Sequence, residues 1–266
     1  MATMIDITRS LILDVKTVTD AGGSTTSEYQ QIIDRWNALL NQERTAAQRL
    51  ADAIINGEDF DTLYSLALAE EASAQTVGDV RIKVSEQVYP ALHNEAKKTA
   101  MANYNTLRAR FNETAAKLTA ALGTVDPDAR PEDLMTAPAK ARQAWADAPI
   151  HAAELNAQIN ALKTAAKLAG ATIPNNDAHL ALTTNPGSIH RRRVWEAWET
   201  TEGRTGRWGA LLKIGVKLGA PDLDKYSFYR RPMELETKYR QGFRGSIPYI
   251  VDPEDTPGNT YEGTKQ

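Results

Sequence analysis

The chain contains no cysteine, so it forms no disulfide and offers no thiolate for zinc or for nucleophilic catalysis. Proline is almost missing from the first half: Pro90 is the only one before residue 127, and eleven follow. Glycine follows the same trend, with 11 of 16 at or beyond Gly170. The early chain is therefore free to form long helices, and the later chain is interrupted. Aromatic residues make up only 7% of the chain, while alanine is abundant, a balance that suits closely packed helices better than sheets. No apolar run approaches the roughly 18 residues that a spanning helix needs. Asp6, Arg9 and Asp14 interrupt the N-terminal stretch, which reads as helix and not as a signal peptide. The expected location is the cytoplasm or an assembled particle.

What is present is helical periodicity. Residues 1–170 read as a long-helix body, an antiparallel hairpin or bundle, which makes the expected fold mainly α. A first helix covers about 2–19 and ends at Gly22-Gly23. Thr25 and Glu28 have the spacing of a capping box, which satisfies free N–H groups at a helix start. Tyr29, Ile33, Trp36, Leu40, Glu43, Ala47, Leu50 and Ile54 then alternate by four and three residues, a heptad seam that keeps one stripe on a partner helix. The partner helix can belong to the same chain or to another subunit. A second stripe runs from Val77 to Leu122 at close to the straight-helix period, with a kink or short break expected at Pro90. Two shorter helices are expected at 131–147 and 149–169.

Residues 171–187 carry the Asn-Asn-Asp and Asn-Pro-Gly turn signals of a linker. Beyond it lie a basic aromatic arm, 188–245, and an extended acidic tail, 246–266. Short helices are expected at 188–200 and 232–241, and 208–218 is ambiguous between helix and strand. The net charge of −3 conceals a segregation: −6 over 1–189, +6 over 190–245 and −3 over 246–266.

The arm gathers Arg191, Arg192, Arg193, Trp195, Trp198, Arg207, Trp208, Tyr229, Arg230, Arg231, Tyr239 and Arg244. Arginine neutralises phosphate and aromatic rings stack on bases, so these residues could form a nucleic-acid surface. Tryptophan and arginine are also the residues enriched at protein–protein contacts, and a +6 segment can dock on an acidic surface of its own chain or a neighbour's. Glycines 203–219 lack the Lys-Ser or Lys-Thr of a phosphate loop. Asp126, Asp128 and Glu132 fail as a calcium loop, because Pro131 and Ala137 stand where glycine and a bidentate glutamate are required. No motif indicates a catalytic site, a metal or a cofactor. The expectation is a non-enzymatic assembly protein, homo-oligomeric or part of a larger complex such as a phage virion, with no membrane partner. The alternative is a nucleic-acid-binding protein that uses the arm.

Overall fold

The structure, a computed structural model, describes residues 3–40, 45–57, 61–72, 74–173, 178–242, 245–257 and 259–260. It is mainly helical, with nine α-helices and four short strands among the described residues. The chain divides into two compact units, one up to Asn103 and one from Tyr104, and the division falls inside a single helix.

The first unit holds α1 (Met4–Asp20), α2 (Ser27–Leu40), α3 (Thr45–Asn56), α4 (Asp61–Ala72) and the beginning of α5 (Ala74–Leu122). Thr3 and Asp6 close α1 with a reciprocal capping box, and Thr8, Leu11, Val15 and Val18 form its buried face. The turn to α2 needs Gly23: a Cβ there would lie 2.7 Å from Val18 Cγ1 and 2.9 Å from the Val18 carbonyl oxygen. The Asn103 amide braces this turn, accepting from Ser24 N at 2.8 Å and donating to Ser24 O at 2.8 Å. The cap of α2 is Thr26, one residue later than the spacing of Thr25 and Glu28 suggested. Its hydroxyl accepts from Tyr29 N at 3.0 Å and donates to Glu95 Oε2 at 2.9 Å. From Thr26 a single hydroxyl can both cap α2 and tie it to α5.

Among the described residues the heptad seam is buried over α2, at Tyr29, Ile33 and Trp36. Leu40 and Leu50 are half-buried and Ile54 is 56% exposed. On α3 the buried residues are Ala46 and Ala53, seven residues apart and each one position ahead of the expected stripe. Glu43 and the Ala47 side chain lie outside the described residues.

The second unit continues along α5 and adds a 3₁₀ turn (Pro131–Leu134), α6 (Ala139–Leu168), α7 (Ala178–Thr183), β1 (Thr184–Asn185), α8 (Arg191–Glu199), α9 (Gly206–Lys213), β2 (Lys217–Leu218), β3 (Glu236–Gly242) and β4 (Gly245–Val251). β1 pairs antiparallel with β2, and β3 with β4. Tyr104, Phe111 and Leu118 of α5, Leu155 and Leu162 of α6, and Trp208 are buried here. Trp208 packs edge-on against Phe111 and Trp198, and its Nε1 donates to Asn156 Oδ1 at 3.0 Å, so the buried indole keeps no idle donor.

Four expectations are corrected along the chain. Of the kink or short break expected at Pro90, the break is absent: α5 runs through it as one helix. The two helices expected at 131–147 and 149–169 are a 3₁₀ turn and one long α6 that runs through Pro149. Pro149 cannot donate to the Trp145 carbonyl four residues back; Arg204 Nη1 does so instead, at 3.1 Å. The stretch read as a linker contains α7 and β1, and its Leu180 and Leu182 are fully buried. The helix expected at 232–241 is largely strand β3: the alternation from Glu236 to Gln241 finds a partner in β4, which the local proline–glycine punctuation concealed. The ambiguous stretch 208–218 holds both structures, the end of α9 and then β2.

Candidate functional site

Helix α8 follows His190 at its N-cap, with three arginines, Arg191, Arg192 and Arg193, in its first turn and no side-chain cap. Cations at a helix N-terminus oppose the macrodipole. The chain answers by bringing three acids from the tail to the same place. Arg191 Nη1 lies 2.9 Å from both Glu254 oxygens. Arg192 Nε pairs with Asp252, and Arg192 Nη2 donates to Met233 O at 2.6 Å. Arg230 Nη1 lies 3.0 Å from Glu254, whose Oε1 also accepts from Met233 N at 3.1 Å. His190 Nε2 stands 3.3 Å from Asp255. Burial pushes the Asp252 carboxyl up, but the Arg192 hydrogen bond, the Glu254 N–H and the charges of Arg192 and His190 outweigh it and leave the group below its ordinary value.

Arginine–aromatic stacking backs this network. Trp195 and Tyr229 stack with ring centres 6.4 Å apart. Arg231 covers the outer face of Trp195 at 4.6 Å, and Arg191 lies 5.6 Å from the Tyr229 centre. Trp195 Nε1 donates to Arg230 O at 2.9 Å, and Arg231 pairs with Glu199. Arg207 lies over Trp198 at 4.6 Å. Burial raises the Tyr229 hydroxyl above its ordinary value.

These contacts fix the residues just before β3 and just after β4. Among the described residues these root contacts are the ones that hold the hairpin to the rest of the unit. In its register Glu236 opposes Val251, Lys238 opposes Tyr249 and Arg240 opposes Ile247 on one face; Thr237 opposes Ile250 and Tyr239 opposes Pro248 on the other. Tyr239 is 67% exposed, Ile250 47% and Ile247 46%, so apolar side chains on both faces meet solvent. A lone two-stranded hairpin is marginally stable in water, and one with two exposed apolar faces lacks the cover that usually stabilises it.

Most of the residues singled out in the arm turn inward. Trp195, Trp198 and Trp208 are buried, and Arg191, Arg192, Arg207, Tyr229, Arg230 and Arg231 are engaged with the chain's own acids and rings. Arg193 and Tyr239 face outward, and Arg244 lies outside the described residues. The partners that sequence reasoning missed are Asp252, Glu254 and Asp255. Their signal was the −3 of the tail, which supplies counter-ions to the arm. The body contributes as well: Asp128 accepts from Arg204 N and Lys213 Nζ, each at 2.9 Å.

His190, Asp252 and Asp255 bring potential metal-ligand atoms within 4.8 Å of one another. The surroundings oppose a cation there. Asp252 is already engaged by Arg192 and by the Glu254 N–H, Arg191 adds a second guanidinium, and the positive end of α8 adds to both. A cleft of about 420 Å³ beside Arg108, Asn185 and Tyr229 is similarly self-satisfied. Arg108 pairs there with Asp222 and donates to Ala220 O at 3.1 Å. No helix among the described residues is long and apolar enough to cross a membrane. No protein-family model, curated protein or solved structure matches the chain.

Proposed function

We propose that the chain is a non-enzymatic assembly protein, a subunit of a homo-oligomer or of a larger particle such as a phage virion. Its business is contact with other protein subunits. The observation that carries the reading is the hairpin: anchored at its root by Arg191, Arg192 and Arg230, yet presenting Tyr239, Ile247, Tyr249 and Ile250 to solvent. Anchoring of this kind preorganises a contact surface and lowers the ordering cost of binding. The first unit adds a second exposed apolar group, with Ile54 and Ile55 on α3 and Tyr64, Leu66 and Leu68 on α4.

Nucleic-acid binding is the rival, and the internal pairing of the arm's arginines weighs against it. A phosphate competitor would have to displace Glu254 and Asp252 from charge-assisted hydrogen bonds. Fluorescence anisotropy with labelled single- and double-stranded oligonucleotides, read across a salt series, separates the two. The assembly reading expects only weak binding, unaffected by Arg193→Ala. Tight binding that falls steeply and linearly on a log–log salt plot would establish the rival instead.

A further inference from the structure

β3 has one unused edge. Among the described residues it pairs with β4 alone, and every residue from Met233 to Gln241 is exposed. The other edge of the hairpin is blunted, because β4 carries Pro248, which has no N–H to offer an incoming strand. Pro248 also fixes the direction of the backbone groups. Antiparallel pairs alternate between residues that exchange N–H···O bonds and residues whose groups point outward. A residue opposite a proline belongs to the second kind, so Tyr239 and Thr237, two residues away, present N–H and C=O to the open edge.

The first residues of β3 and the two that precede it read Glu234-Leu235-Glu236-Thr237-Lys238-Tyr239-Arg240. Laid antiparallel against a copy of itself about Thr237, the stretch is self-complementary at every position. Glu234 meets Arg240 and Glu236 meets Lys238, each twice, on one face. Leu235 meets Tyr239 twice on the other, with Thr237 opposite itself. In this register the outward-pointing residues oppose outward-pointing residues, as antiparallel pairing requires. The neighbouring two-folds set like charges against each other: centring on Lys238 opposes it to its own copy, centring on Glu236 does the same, and centring on Tyr239 or Leu235 sets Lys238 against Arg240 or Glu234 against Glu236. Like charges directly opposed destabilise a pair, so the pattern selects one register.

We infer that β3 is the contact strand of a two-fold homodimer, in which two hairpins join as one four-stranded antiparallel sheet, β4–β3–β3–β4. Main-chain hydrogen bonds across the two-fold supply affinity and the charge pattern supplies register. The pairing also provides a partner for Tyr239 and for Leu235, which is 41% exposed. Glu236 and Lys238, 3.5 Å apart within the single strand, each acquire an opposed partner across the axis. The inference rests on the assembly reading and names its partner as a second copy of this chain.

The test uses the full chain and light scattering coupled to size exclusion. Wild type is expected to show a concentration-dependent species at twice the 29.2 kDa chain mass. Lys238→Glu with Arg240→Glu makes the edge wholly acidic, and Glu234→Lys with Glu236→Lys makes it wholly basic. Each variant alone is expected to lose the dimer, and an equimolar mixture to recover it as a heterodimer. All four changes in one chain restore self-complementarity, and that variant is expected to dimerise again. Unchanged circular dichroism confirms that each variant is folded. A wild type that stays monomeric at all concentrations overturns the inference. So does a wild-type dimer that survives in both charge variants, but that outcome leaves self-assembly standing through another surface.

Discussion

At the scale of single residues, the arm's arginines are defined by what they hold. Arg192 and Asp252 form a pair in which the carboxylate is buried, and removing one partner leaves a charge without compensation. Arg192→Ala is expected to cost about 3–5 kcal/mol in urea unfolding, and Arg192→Met with Asp252→Leu to recover most of it. The pH dependence has a definite sign. Because the folded Asp252 carboxyl lies below its ordinary value of 3.8, its contribution is present above the unfolded value and is lost as pH falls through the folded one. Asp128 acts in the same direction, held low chiefly by the Lys213 hydrogen bond. Unfolding midpoints measured from pH 6 down to about pH 2.5 should therefore fall below roughly pH 4, less steeply in Asp252→Asn. At the core, Trp208→Ala is expected to cost about 3–5 kcal/mol, since the indole touches Phe111 and Trp198 with no solvent nearby. The residue types were legible as contact residues. Their inward direction was not, because charge composition does not reveal which acids fold back onto which arginines.

At the scale of elements, the helices were legible where periodicity was long, as in α1, α2 and α5, and illegible where a local rule was overruled from a distance. Pro149 has the appearance of a helix end, yet Arg204, far along the chain, supplies the donor that proline lacks. This yields a double-mutant test. Pro149→Ala returns a backbone donor to the Trp145 carbonyl, so Arg204→Ala should be milder in that background by about 1 kcal/mol in urea unfolding. Equal costs in both backgrounds would show that the Arg204 side chain acts only through the Pro127 carbonyl and its stacking on the Trp145 ring. Strand β3 was missed for a related reason. Pro232 at an apparent first turn and Gly242 at an apparent end resemble helix punctuation, while the period-2 alternation of Glu236, Lys238 and Arg240 becomes meaningful only when β4 lies beside it. The two glycines, 242 and 245, that bracket a two-residue connection were the available hairpin signal.

At the scale of the molecule, the segregation of charge along the sequence is a folding device in the second unit. The basic arm meets the acidic tail, and the contact leaves a hairpin whose apolar side chains meet solvent and whose β3 edge pairs with no other strand among the described residues. That hairpin is the proposed protein-contact surface, and β3 the strand proposed to make the contact. Residue-resolved hydrogen–deuterium exchange of the full chain, followed over a hundredfold range of concentration, tests this most directly. The Lys238 amide, directed at β4, should be slow at every concentration. The amides of Thr237 and Tyr239, directed at the open edge, should exchange quickly in dilute protein and slow markedly as concentration rises. Fast exchange of Thr237 and Tyr239 at all concentrations would contradict the account.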